Sequence, residues 1–180
     1  EDRDTISARL AVKVNSEIGR TEYVLVGLVE TGESTSAGQT PWAAYPMGKG
    51  SGSVTTFSHA DGFITIDRHQ EIVETNTAVT VQKPGRGLRA ADLVAIGSHC
   101  IGLDFLLGKL HELGFATKFL AVGSTGGLEA ARRGECDLAG IHLMDPDTGQ
   151  YNRPFVSPPL RLIEGYRRMQ GIVFRRDDAR

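Results

Sequence analysis

The chain has 180 residues, 40% of them hydrophobic, enough for one medium domain or two small ones. A formal net charge of −2 excludes a broadly basic nucleic-acid surface, and no apolar run approaches the roughly 18 residues of a membrane span. Cys100 and Cys136 are the only two cysteines and lie far apart, which argues against a disulfide framework.

The charged start Glu1-Asp2-Arg3-Asp4 lacks an apolar core, so no signal peptide is expected, and a cytoplasmic, reduced setting is the default. Ile6–Asn15 alternates apolar and other residues and predicts one half-buried strand. Tyr23–Glu30 predicts another, and Gly32–Gln39 reads as a loop. Trp42–Tyr45 predicts a short strand broken at Pro46, while Gly62–Asp67 and Thr77–Gln82 complete the set. Four or five short strands between Gly, Pro and Asn turns fit a small β-barrel or sandwich. Gly48–Ser53 offers a Gly-rich backbone that could turn N–H groups toward an anion, but it lacks the spacing of a phosphate-binding P-loop and reads rather as a flexible Gly/Ser turn. His59 and His69 have no partner at metal-ligand spacing and are expected at the surface.

Ala8–Val14, the segment from Tyr45-Pro46 to Gly52, and His59-Ala60-Asp61-Gly62 followed by a strand resemble the C-terminal barrel of molybdopterin molybdenumtransferases. The resemblance spans residues 5–83. That family inserts molybdate into the dithiolene of molybdopterin, and its barrel presents a Pro-then-Gly-Ser-Gly loop to the cofactor cleft. The resemblance implies Pro46, Gly50, Ser51 and Gly52 as molybdopterin-cleft positions, with Ala60-Asp61-Gly62 as a structural turn. The family's catalytic domain precedes this barrel, and nothing like it is present before residue 5.

Lys83–Arg89 combines Pro, two Gly and three basic residues, the composition of a domain boundary. The expected division is residues 1–83, a linker at 84–90, and residues 91–180. From Asp92 to Leu143 the pattern becomes β-α-β-α-β. Asp92–Gly97, Lys118–Val122 and Asp137–Leu143 are the expected strands. Leu103, Leu106, Leu107, Leu110 and Leu113 predict a helix ended by Gly114, and Leu128, Ala130 and Ala131 a shorter one ended by Gly134. Strands this apolar, alternating with helices, predict a parallel sheet covered on both faces, with a ligand site at its carboxyl edge. The fold expected is therefore a small all-β barrel followed by an α/β lobe.

Both strand-to-helix turns carry Ser or Thr with Gly: Gly97-Ser98-His99-Cys100 and Gly123-Ser124-Thr125-Gly126-Gly127. The first N–H groups of a helix have no intrahelical acceptor, and the helix dipole adds partial positive charge there. An oxyanion can accept those N–H bonds, a hydroxyl can add another, and glycine allows close approach. Ser98, Ser124 and Thr125 equally suit the role of ordinary N-caps. His99, Cys100, Cys136 and His142 fit no zinc spacing; a structural cysteine and a core histidine within the third strand are the expectation. Cys100 at a helix start is the one candidate for a reactive thiol. Met144–Asn152 reads as a structured turn, with Asp145 at a strand's carboxyl end. Arg132-Arg133, Arg167-Arg168 and Arg175-Arg176 read as solvated surface.

Gly97–Cys100 with Gly102-Leu103-Asp104, then Gly123–Leu128, then Ala139–Leu143 through Asp145, Thr148-Gly149 and Tyr151-Asn152 are similar to the periplasmic-binding-protein-like domain. This similarity spans about Ala95 to Phe174. That domain occurs fused to some molybdopterin molybdenumtransferases and to helix-turn-helix regulators, and is similar to periplasmic molybdate- and tungstate-binding proteins. The resemblance implies a molybdate or tungstate ion held by Ser98, His99, Cys100, Ser124, Thr125 and Gly126. It implies molybdopterin and molybdate or tungstate as cofactors of a longer parent, with a missing catalytic domain and second lobe as partners, and it leaves room for a homodimer. Leu160–Gly165 and Gly171–Phe174 resemble strands leading toward that second lobe, with Tyr166–Gln170 as the crossover. The expected parent is an enzyme of molybdenum-cofactor biosynthesis, or alternatively a molybdate- or tungstate-sensing regulator. No nucleophile–base pair is visible at credible spacing, so no catalysis is expected from this stretch by itself.

Overall fold

Apolar alternation carries the first half of the chain into a closed barrel in the computed structural model, which describes residues 4–31, 40–48, 59–83, 91–163 and 165–166. The strands are β1 (Thr5–Leu10), β2 (Val14–Asn15), β3 (Glu22–Glu30), β4 (Trp42–Pro46), β5 (Gly62–Ile66), β6 (Ile72–Val73) and β7 (Ala78–Gln82). The barrel runs β1-β4-β3-β5-β7 and closes through β1 and β7; β1 and β4 are parallel and the other pairs antiparallel. Ala8, Leu10, Val24, Val26, Leu28, Ile64, Ile66 and Val81 fill its interior.

Ile6–Asn15 is two strands rather than one. The Leu10 N–H donates to Thr77 O and the Ala11 N–H to Ala44 O, and the chain then leaves the barrel to pair β2 with β6. Closing a five-stranded ring ends β1 at its last parallel partner, Leu10 opposite Ala44, although the alternation continues in the sequence. The expected Gly32–Gln39 loop and the 84–90 linker lie outside the described residues.

In the second half β8 (Leu93–Gly97), α1 (Ile101–Glu112), β9 (Thr117–Ala121), α2 (Gly123–Arg132) and β10 (Leu138–Gly140) form a parallel sheet of order β10-β8-β9 with its two helices. Alternate residues of β8 face opposite ways. Ala95 packs with Leu103 and Leu107 of α1, whereas Ile96 packs with Ala130 of α2 and with the barrel. Leu106 and Leu113, expected on the core side of α1, are exposed. Residues 160–163, expected to be a strand, are irregular and largely exposed. The 171–174 strand lies outside the described residues.

The barrel's outward residues explain why β3 and β4 read as nearly continuous apolar runs. Ala11, Val29, Ala43 and Tyr45 share one buried cluster with Ile96, Leu120 and Ala130. Leu120 lies over Gly27, where a Cβ would come within 2.7 Å of its Cδ2. Barrel and lobe thus share a core.

Candidate functional site

Parallel pairing puts the carboxyl ends of β8, β9 and β10 on one edge, and glycine lets them close up there. A Cβ on Gly127, in the first turns of α2, would sit 2.5 Å from the Gly97 Cα and 2.6 Å from the Ile96 carbonyl oxygen. Gly97, at φ +153°, has the Gly140 backbone against it, and no side chain would fit between them. Two hydrogen bonds hold the three ends together: the Ser98 N–H donates to Gly140 O at 2.8 Å, and the Val122 N–H to Gly97 O at 3.0 Å.

The helix starts differ from the N-caps read in the sequence. Cys100 is the N-cap of α1 and Val122 that of α2, and neither start has a side-chain cap. The Gly123–Gly127 stretch, read as a turn before the second helix, is the beginning of that helix. Backbone N–H groups at both helix starts therefore face outward from one sheet edge without a capping side chain. Ser98 is half-buried, Thr125 exposed and Gly126 half-buried, all three beside those starts.

Ser124 has a different role. It is 8% exposed, and its Oγ accepts the His142 N–H at 3.0 Å and lies 3.0 Å from the His142 Nδ1. His142, expected inside a strand and in the core, is an exposed residue beyond the end of β10. The strand stops because the chain bends to give that N–H to Ser124 rather than to a neighbouring strand. This serine–histidine pair, 18 residues apart, was not legible in the sequence. The only available signal was a serine in a helix's first turn and a histidine just past the next strand.

His99 and Cys100 engage their own surroundings. The His99 ring pairs through Nε2 with Asp104 Oδ2 at 2.8 Å and tilts against Phe119. The Cys100 Sγ lies 2.7 Å from the Tyr166 hydroxyl, whose ring occupies the space left by the missing side chain of Gly102. Cys136 belongs to the cluster between barrel and lobe, and burial pushes its thiol up to about 11. Among the described residues no three His, Cys, Asp or Glu side chains gather as a metal site. Asp145 turns back on its own loop, its carboxylate accepting the Asp147 and Thr148 N–H groups, which holds it below the ordinary value.

Arg133, expected on solvated surface, is half-buried between the two parts. Its guanidinium donates to Glu135 Oε1 at 2.9 Å and Oε2 at 2.7 Å, and to the Tyr45 hydroxyl at 3.2 Å; that hydroxyl also bonds Glu135. Asp61, in the expected structural turn, accepts the Leu28 N–H at 2.6 Å and pairs with Lys118 of β9. Pro46 closes β4 opposite Val26, while Gly50, Ser51 and Gly52 lie outside the described residues. Arg167-Arg168 and Arg175-Arg176 lie outside them too.

Residues 7–83 match the MoeA C-terminal region (domain IV), and residues 107–180 match the PBP superfamily domain. Similar solved structures include a molybdopterin biosynthesis MoeA protein from Pyrococcus horikoshii, 31% identical with a TM-score of 0.34, covering 46% of this chain and 18% of that one. Another, from Pyrococcus horikoshii OT3, is 18% identical with a TM-score of 0.35 and covers 45% and 18%. The matched part thus spans 18% of the length of those structures. No curated protein matches the chain. No helix among the described residues is long and apolar enough to cross a membrane.

Proposed function

We propose that this chain, a MoeA C-terminal region joined to a PBP superfamily domain, serves molybdenum-cofactor biosynthesis by holding a tetrahedral oxyanion, molybdate or tungstate. The observation that carries the reading is the pair of helix starts without side-chain caps on one sheet edge, with Ser98 and Thr125 beside them. Backbone N–H groups and two hydroxyls are what a dianion accepts from, and the edge outside the carboxyl ends of parallel strands is where such folds bind ligands. The barrel would set this store of oxyanion beside a molybdopterin cleft, with Pro46 at the end of β4 as its candidate position among the described residues. The molybdopterin chemistry belongs to the longer protein.

One lobe meets only one face of the ion. Contacts to a wet, open half-site contribute roughly 0–1 kcal/mol each. Three or four of them barely offset an association cost of at least about 4 kcal/mol. The 180-residue chain is therefore expected to bind molybdate, tungstate and sulfate no more tightly than the millimolar range, and a chain carrying a second lobe much more tightly. Calorimetry on both, repeated with Ser98→Ala and Thr125→Ala, tests this. A two-lobed chain that binds no oxyanion, or binds it equally well after both substitutions, overturns the reading.

A further inference from the structure

The Ser124 hydroxyl lies at the start of α2, yet it is not available to a ligand in every state of its partner. Its oxygen accepts the His142 N–H at 3.0 Å, and the His142 Nδ1 lies another 3.0 Å away. A neutral imidazole with its proton on Nε2 offers Nδ1 as an acceptor, so the single serine proton points at the ring. A protonated imidazole donates from Nδ1 instead. The serine oxygen then accepts twice, and its own proton is released to point elsewhere. Protonation also places a full positive charge on an exposed side chain next to the sheet edge.

We propose that His142 is a pH-dependent determinant of anion binding at this edge, its protonation turning Ser124 from an acceptor-facing hydroxyl into an anion donor. The inference rests on the oxyanion reading above and adds its regulation.

The charged groups on the surrounding elements are engaged elsewhere. On α1 and the turn before it, His99 and Asp104 pair with each other. On α2, Glu129 pairs with Arg132, which also donates to Phe155 O. On β9, Lys118 pairs with Asp61 of the barrel, and beside β10 Asp137 accepts the Val94 N–H. In the loop after β10, Asp145 accepts N–H groups of its own turn, and Asp147 is exposed within that turn. His99 is the other imidazole at this edge, and its ring faces Asp104 rather than Ser124.

Sulfate is the suitable probe, because it remains a dianion across that range while molybdate and tungstate begin to condense in acid. Amide and imidazole NMR shifts of the full 180-residue chain, followed against millimolar sulfate, read the weak binding expected of one lobe. Histidine changes charge between about pH 5 and 8, so titrations near those limits isolate the two states. The expected result is about tenfold tighter sulfate binding at the acid end, equivalent to a one-unit rise in the His142 titration midpoint when sulfate is bound. His142→Asn keeps a polar partner for Ser124 but cannot titrate, and it should remove the pH dependence. The midpoint shift, measured on the unaltered chain, decides the question if that variant fails to fold. Binding that is equal at both limits, or a His142 midpoint unmoved by sulfate while the 98–102 and 122–126 amides respond, overturns the inference and leaves the oxyanion reading standing. Amides that respond at no pH overturn the inference, while the two-lobed titration decides the oxyanion reading.

Discussion

Tyr45 and Glu135 come from opposite halves of the chain and meet in a buried contact that Arg133 completes. Removing the phenol oxygen leaves Glu135 with one partner fewer inside the interface. Tyr45→Phe is therefore expected to destabilise the protein by about 1–3 kcal/mol, read by urea denaturation. The pH dependence has a definite sign. Burial first, then Glu135, raises the Tyr45 hydroxyl above its ordinary 10.0, and burial lifts the Cys136 thiol from 9.0 to about 11. A group raised on folding contributes its stability below the unfolded value and loses it as pH climbs toward the folded one. The melting temperature should thus fall from about pH 9 upward, and fall less steeply in Cys136→Ala and Tyr45→Phe. A melting temperature flat across that alkaline window would contradict this assignment. At this scale the sequence was only partly legible. The place of Ser98 and Thr125 beside the helix starts was legible from the glycines around them, whereas Arg133 looked like one more surface cation. Nothing local tells an arginine that its carboxylate partner is buried under another domain.

At the scale of elements, α2 shows why a run of Gly, Ser and Thr can start a helix that propensity alone would not predict. The glycines are there for approach distance. Gly127→Ala gains roughly 1 kcal/mol of helix propensity, but its Cβ would meet the Gly97 Cα and the Ile96 carbonyl, backbone atoms that cannot rotate aside. The substitution is expected to be net destabilising and to loosen the β8–α2 edge. Gly108 of α1 has nothing within 4 Å of its Cβ position, so Gly108→Ala should stabilise by about 1 kcal/mol. Denaturation of the pair separates propensity from packing, and a stabilised Gly127→Ala would mean that the close approach is not required. The same reasoning explains the shortened third strand. Apolar residues continue to Leu143, but pairing ends at Gly140, whose carbonyl accepts the Ser98 N–H, and the His142 N–H turns to Ser124.

Across the whole molecule, the cluster of Val29, Ala43 and Tyr45 with Ile96, Leu120 and Ala130 joins barrel and lobe, and the partly buried Lys118–Asp61 pair adds a polar contact. Unfolding is therefore expected to be a single transition. Trp42, the only tryptophan, reports the barrel, and amide exchange in β8 and β9 reports the lobe. Both signals should be lost at one denaturant concentration, and Leu120→Ala, costing about 2–5 kcal/mol, should shift them together. Two separated transitions would show that the shared cluster does not couple the halves. The sequence by itself determined the order of elements, the change from period-two strands to strand–helix alternation, and the glycines that end α1 and follow α2. Those properties repeat along the backbone within a few residues, so a local pattern reports them. The tertiary structure alone decided which outward face of the barrel is buried, that Ser124 belongs to His142, and that Tyr166 lies on Gly102. Each of these joins residues on elements whose mutual placement comes from sheet order and docking, and no spacing along the chain encodes that distance.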